Sequence, residues 1–126
     1  MAAAIKVLVV DEDEDMLKLT ETFLERENDR IDVTTEKRPP AAAERLLDGE
    51  FDSVVSDLRM PQMDGIELCL EVREHRPELP FFLFTAASLD DIESTTGSEE
   101  LSAVVQKGTG TEHYTDLAEK ITAAAD

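Results

Sequence analysis

Ile5-Lys6-Val7-Leu8-Val9-Val10-Asp11-Glu12 is the stretch that decides the fold. Its β-branched apolar run is too short for a helix and ends abruptly at Asp11. Being apolar on both faces, it reads as a strand buried on both sides, the mark of a parallel sheet. Immediately outward the period changes. Met16, Leu17, Thr20, Phe23, Leu24 and Glu27 form one helical stripe, and Asp13 or Glu14 can cap its first turn, where the macrodipole favours negative charge. Ile31 and Val33 alternate with polar residues as a weaker, edge-like strand. Pro39-Pro40 can sit only at or before a helix start, Ala41 to Leu47 supply that helix, and Gly49 stops it.

The same alternation continues to the end of the chain. Val54 and Val55 centre a third strand that ends at Asp57. Gly65 to Arg76 is a third helical pattern, with Ile66, Cys69, Leu70 and Val72 expected inward and Pro77 beyond its end. Phe81 to Phe84 is a fourth buried strand. Ser88 to Leu101 is weak helix, because Thr95, Thr96, Gly97 and Ser98 interrupt it. Ala103, Val104 and Val105 make a fifth strand before Lys107-Gly108, and a last helix from about Glu112 carries Leu117, Ala118 and Ile121 on one face. This order predicts an α/β fold: a doubly wound five-stranded parallel sheet with helices on both faces and ligands beyond the carboxyl ends of the strands.

Composition narrows the class. The 126 residues suit one domain, since a second folded module needs roughly 50 residues of its own. Thirty acidic residues against twelve basic ones give a net charge of −18, a field that repels phosphate backbones and anionic lipid, so neither nucleic acid nor a membrane is expected as a direct partner. Hydrophobic residues still make up 41% of the chain and cluster in runs, which separates it from an acidic disordered tail. The single cysteine, Cys69, excludes an internal disulfide and fits a reducing cytoplasm. No apolar run is long enough to span a bilayer, and Met1 to Val10 lacks the basic start of a signal peptide.

The chemistry is expected where strands end. The first strand delivers Asp11 and Glu12, the third Asp57, the fourth Thr85 and the fifth Lys107. In the predicted topology these ends are neighbours, so three carboxylates would share a crevice with one ammonium and one hydroxyl. Two carboxylates about 4 Å apart repel by on the order of 4 kcal/mol at an effective dielectric of 20, and such a cluster needs a cation to stay ionised. Its ligands are hard oxygens, which suit Mg²⁺.

On Val7 to Glu12, on Asp57-Leu58-Arg59-Met60-Pro61-Gln62-Met63-Asp64-Gly65, on Phe84-Thr85-Ala86 and on Lys107, the chain resembles the receiver domain of two-component response regulators over nearly its whole length. The acidity and Lys107 to Tyr114 further resemble receivers of halophilic archaea. The resemblance implies a flavodoxin-like receiver topology and a stand-alone receiver, since no output module fits in the chain. It implies that Asp57 is the phosphoacceptor, attacking a phosphoryl group carried on a sensor histidine kinase. Asp11, Glu12, Asp57 and the carbonyl of Arg59 would hold Mg²⁺. Lys107 and Thr85 would contact the phosphoryl group, and Ala86 would leave room for the donor. The output would be a changed surface read by an unidentified downstream protein. Three departures stand out: Glu12 where the family usually has aspartate, Gly108 where it usually has proline, and Val104 where it commonly has a switch tyrosine or phenylalanine.

Blander readings account for the remaining conspicuous residues. Asp13, Glu14 and Asp15 read as helix N-terminal charges and Cys69 as an inert core residue. His75 and His113 lack partners at metal-ligand spacing, Tyr114 reads as packing, and Thr109-Gly110-Thr111 as a cap for the last helix. The competing function is an interaction module that keeps the fold without the phosphorylation switch, motivated by Glu12 and Val104. An aspartate-nucleophile phosphohydrolase is disfavoured, because the place of its general acid, two residues after the nucleophile, holds Arg59.

Overall fold

Five parallel strands in the order β2-β1-β3-β4-β5 form one sheet in the computed structural model, which describes residues 3–108 and 110–125. The strands are β1 (Ile5–Val10), β2 (Ile31–Glu36), β3 (Ser53–Ser56), β4 (Phe81–Thr85) and β5 (Ala103–Gln106). Helices α1 (Glu14–Glu27), α2 (Pro39–Leu47), α3 (Gly65–Arg73), α4 (Leu89–Glu93) and α5 (Glu112–Ala125) alternate with them, and a single 3-10 turn covers Ser98–Glu100. The doubly wound expectation holds, with β2 on the edge.

Strand periodicity divides the core into two halves. Ile5, Val7 and Val9 of β1 point to one face, where Leu17 and Leu24 of α1 and Leu117 and Ile121 of α5 cover them. Leu8 and Val10 point to the other, against Ala42 and Leu46 of α2 and Leu68, Cys69 and Val72 of α3. Both faces are therefore dry, and the unbroken apolar run of β1 follows from that.

Local chemistry fixes the helix ends. The Asp13 carboxylate accepts from the amides of Asp15 and Met16 and caps α1. Asp64 accepts from Glu67 N while Glu67 accepts from Asp64 N, a reciprocal capping box that starts α3 directly after the Asp57 loop. Pro39 and Pro40 open α2, and Gly49 follows its end at φ +78°.

The structure corrects three details of the sequence reading. α3 stops at Arg73 rather than Arg76, where the chain tightens into a turn with His75 N donating to Val72 O three residues back. The residue before Pro77 is also biased out of helix. The Arg76 guanidinium instead donates to the carbonyls of Leu46 and Phe51. Leu68, not Leu70, is the inward leucine. Leu70 is partly exposed and lies over Gly97, whose missing Cβ would stand 2.7 Å from it, at a φ of +96°. Glu27 is exposed rather than part of the buried α1 stripe. The weak Ser88 to Leu101 segment behaves as expected, with only five residues of α helix.

Candidate functional site

Register brings the expected residues to one edge of the sheet. Val10 of β1 pairs with Ser56 of β3, so Asp11 and Asp57 emerge together one residue later, with Asp57 N donating to Val10 O at 3.0 Å. Thr85 pairs with Gln106, and Lys107 follows, its amide donating to Thr85 O at 2.8 Å. From there the Lys107 ammonium reaches both acids: Nζ lies 3.2 Å from Asp11 Oδ2 and 3.6 Å from Asp57 Oδ2. It also lies 5.5 Å from the centre of the Phe84 ring.

Each carboxylate is anchored through its other oxygen. Asp11 Oδ1 accepts from Asp13 N at 3.0 Å, and Asp57 Oδ1 accepts from Leu58 N at 2.8 Å. The two Oδ2 atoms are thereby turned toward a single cation. Asp11 is 5% exposed, and burial raises its pKa above the usual carboxylate value. The nearby Asp57 charge pushes the same way, while the Asp13 amide and Lys107 pull it down.

The loop above Asp57 is held by close backbone approach. Gly65 N donates to Leu58 O at 2.8 Å, and a Cβ on Gly65 would stand 2.3 Å from Asp57 O. Only glycine allows α3 to start this close to the site. Ser56 Oγ donates to that same Asp57 carbonyl at 2.8 Å. Gln62 crosses the loop at φ +74°, a left-handed conformation rare outside glycine.

Other expected site residues are placed less uniformly. Thr85 is buried, and its hydroxyl accepts from Ala87 N at 3.3 Å, so it ties down the loop after β4. Ala86 is exposed beside it, and Arg59 is exposed at the start of the Asp57 loop. Glu12 departs from expectation: it is exposed and makes no hydrogen bond or ion pair among the described residues. No group of three His, Cys, Asp or Glu side chains at metal-holding spacing occurs among them either. The shared crevice thus contains two carboxylates and Lys107, not three carboxylates. A longer glutamate side chain at the mouth of the site stays in water when nothing offsets its desolvation. The remaining donors, Asp11, Asp57 and the carbonyl of Arg59, still suit Mg²⁺, which takes one or two carboxylates and keeps several waters.

A sequence model of the response regulator receiver domain matches residues 7–119. The chain belongs to that family. Among curated relatives, this receiver domain is 37% identical over 81 residues to the transcriptional regulatory protein ResD of Bacillus subtilis, covering 64% of this chain and 32% of ResD. It is 29% identical over 83 residues to the response regulator ArlR of Staphylococcus saprophyticus, covering 66% of this chain and 36% of ArlR. The chain spans about a third of the length of these relatives. Among solved structures, the response regulator protein TrrA of Thermotoga maritima, in complex with Mg²⁺-BeF, superposes with a TM-score of 0.82 at 24% identity, covering 93% of this chain and 98% of that one. A complex of the histidine kinase ThkA with TrrA gives 0.83 at 24% identity, covering 97% and 99%. These likenesses show the receiver fold.

The blander readings also find their places. Cys69 is buried and its thiol is pushed up to about 11, by burial first. Tyr114 stacks on Phe23 at 4.9 Å. Thr109, in the expected cap of the last helix, lies outside the described residues. Among the described residues no peptide is cis, Lys107–Gly108 included, and no helix is long and apolar enough to cross a membrane. Sequence reasoning missed His113. Its Nδ1 accepts from Gly108 N at 3.4 Å, next to Lys107, and no motif signals that bond.

Proposed function

We propose that this domain accepts a phosphoryl group on Asp57 from the phosphohistidine of a sensor kinase, with Mg²⁺ as cofactor, and passes the signal on through a changed protein-binding surface. The observation that carries this reading is the Lys107 ammonium set between Asp57 and the buried Asp11 at the ends of three strands. Supporting it are the family membership, the Mg²⁺-BeF complex of TrrA and the complex of TrrA with its kinase.

Asp57 Oδ2, left free of backbone bonds, attacks phosphorus; the new P–O bond forms as the P–N bond breaks and the imidazole leaves. Lys107 then shifts its charge from the carboxylate toward the transferred oxygens, which is stabilisation by a group already in position. Asp11, Glu12, Asp57 and the Arg59 carbonyl would hold Mg²⁺, which would supply charge neutralisation at the phosphoryl oxygens. Thr85 turns its hydroxyl to donate to the phosphoryl group and draws the loop after β4 inward through the bond it accepts from Ala87 N. The domain catalyses only its own phosphorylation and dephosphorylation, and acts in the cytoplasm.

Intact-mass measurement after incubation with a small-molecule phosphodonor and Mg²⁺ tests this. One added phosphoryl group that Asp57→Asn abolishes supports the reading. No addition favours the phosphorylation-independent module, for which the exposed Glu12 speaks, and rapid multiple turnover favours a hydrolase.

A further inference from the structure

Lys107 carries the site, yet Gly108 after it has the loosest backbone available to a chain. Gly108 is exposed, and a Cβ there would meet nothing nearer than His113 Nδ1, at 3.9 Å. The hydrogen bond that the Gly108 amide donates goes to that same Nδ1. The imidazole is itself held firmly: its ring lies 5.4 Å from that of Phe84, which also underlies the Lys107 ammonium, and 4.3 Å from that of the buried Tyr114. The Lys107 amide is held on Thr85 O, and the residue after it is tied through His113 to the start of α5.

We propose that His113 is a positioning residue for Lys107: its neutral ring accepts the Gly108 amide and fixes the backbone from which the ammonium reaches Asp57. The proposal rests on the reading of Lys107 as the phosphoryl-contacting cation. Protonation removes the acceptor, because both imidazolium nitrogens donate. Burial lowers the His113 pKa below the ordinary histidine value; Glu112 opposes this and Lys107 adds to it, so the acceptor form prevails at neutral pH. The other charged group lining this side is Asp116 of α5; β4, β5 and α4 contribute Phe84, Gln106 and Leu89, which carry no charge.

Two variants separate the acceptor from the packing. His113→Asn keeps an oxygen near the place of Nδ1 and loses the ring, whereas His113→Phe keeps the ring and loses the acceptor. The first readout is the Gly108 amide proton by NMR from about pH 5 to about pH 8, the range in which histidine titrates. It should follow the His113 titration in the unaltered chain and lose that step in His113→Asn; a Gly108 amide indifferent to pH overturns the proposal. The second is the phosphorylation rate with a small-molecule phosphodonor and saturating Mg²⁺. At neutral pH His113→Phe should slow it on the order of fivefold, the worth of one modest hydrogen bond, and His113→Asn should restore most of it. On acidification the unaltered chain should fall away from His113→Asn, which shares every other titration of the site and of the donor. A purely structural role predicts the opposite rank, with His113→Asn the worse variant, and that result would overturn the proposal. If the unaltered chain takes up no phosphoryl group, the function proposed for Asp57 fails and this role falls with it, while the Gly108 titration still reports whether the bond exists.

Discussion

Replacing Gly65 by alanine should damage both the fold and the site, although alanine is the better helix residue. Helix propensity alone favours the change by up to about 1 kcal/mol. Against it, the new Cβ would stand 2.3 Å from Asp57 O and 2.7 Å from Leu83 Cδ1. A carbon normally comes no nearer to a carbonyl oxygen than about 3.3 Å, so the helix start or the carbonyl must retreat by about 1 Å. Neither is free to do so: Gly65 N is bonded to Leu58 O, Asp57 O to Ser56 Oγ, and Asp57 N to Val10 O. Overpacking at such a point costs about 1–3 kcal/mol, and here the strain is at the high end because backbone must move. A net loss of about 1–2 kcal/mol should lower Tm by roughly 3–10 °C in a domain of this size. The phosphorylation rate should fall further than stability suggests, since a 1 Å misplacement of a reacting group can cost on the order of 100-fold. Urea and thermal melts, paired with phosphodonor kinetics under folded conditions, measure both. A Gly65→Ala variant as stable and as quickly phosphorylated as the parent would refute the close-approach argument.

Further outcomes follow from the same geometry. Because burial raises the Asp11 pKa, the folded chain holds that proton more tightly than the unfolded chain, so this contribution to stability is complete below the unfolded pKa and is lost as pH rises through the folded one. In chelator-treated buffer Asp11→Asn should therefore gain stability over the parent as pH rises toward neutrality, in urea titrations; a variant that loses ground instead would contradict the buried-charge picture. Stability should rise with KCl, because −18 charges repel and the Debye length falls from about 10 Å at 0.1 M to about 3 Å at 1 M; melts that do not move would refute the screening argument. Beryllofluoride with Mg²⁺ should change hydrogen exchange most in Ala86 to Leu101, where Thr85 draws on Ala87 N and α4 has only five residues. Val104 and Val105 should change little, since a valine in a strand cannot swing as an aromatic would. Changes centred on Val104 and α5 would contradict that route.

What the sequence discloses here depends on how local the deciding interactions are. The two-faced run of β1, the residues punctuating each helix and the strand-end positions of Asp11, Asp57, Thr85 and Lys107 follow from period and spacing, which a single chain displays. The orientation of Glu12 does not, because water and protein compete for a long side chain at the mouth of a site. Whether Leu68 or Leu70 is buried depends on where α2 and the Gly97 turn lie, two elements distant in sequence. Arg76, expected on α3, instead reaches the carbonyls of Leu46 and Phe51, again a tertiary contact. His113 is invisible for the same reason: its partner is a backbone amide, which every non-proline residue carries.

The most direct test of the central claim is chemical mapping of the acceptor. After treatment with a small-molecule phosphodonor and Mg²⁺, borohydride reduces an aspartyl phosphate to homoserine, and peptide mass spectrometry locates it. The geometry of Lys107 between Asp11 and Asp57 predicts homoserine at position 57 alone, absent without the phosphodonor and absent from Asp57→Asn. Homoserine at another aspartate, or none at position 57 despite complete phosphodonor treatment, would contradict it.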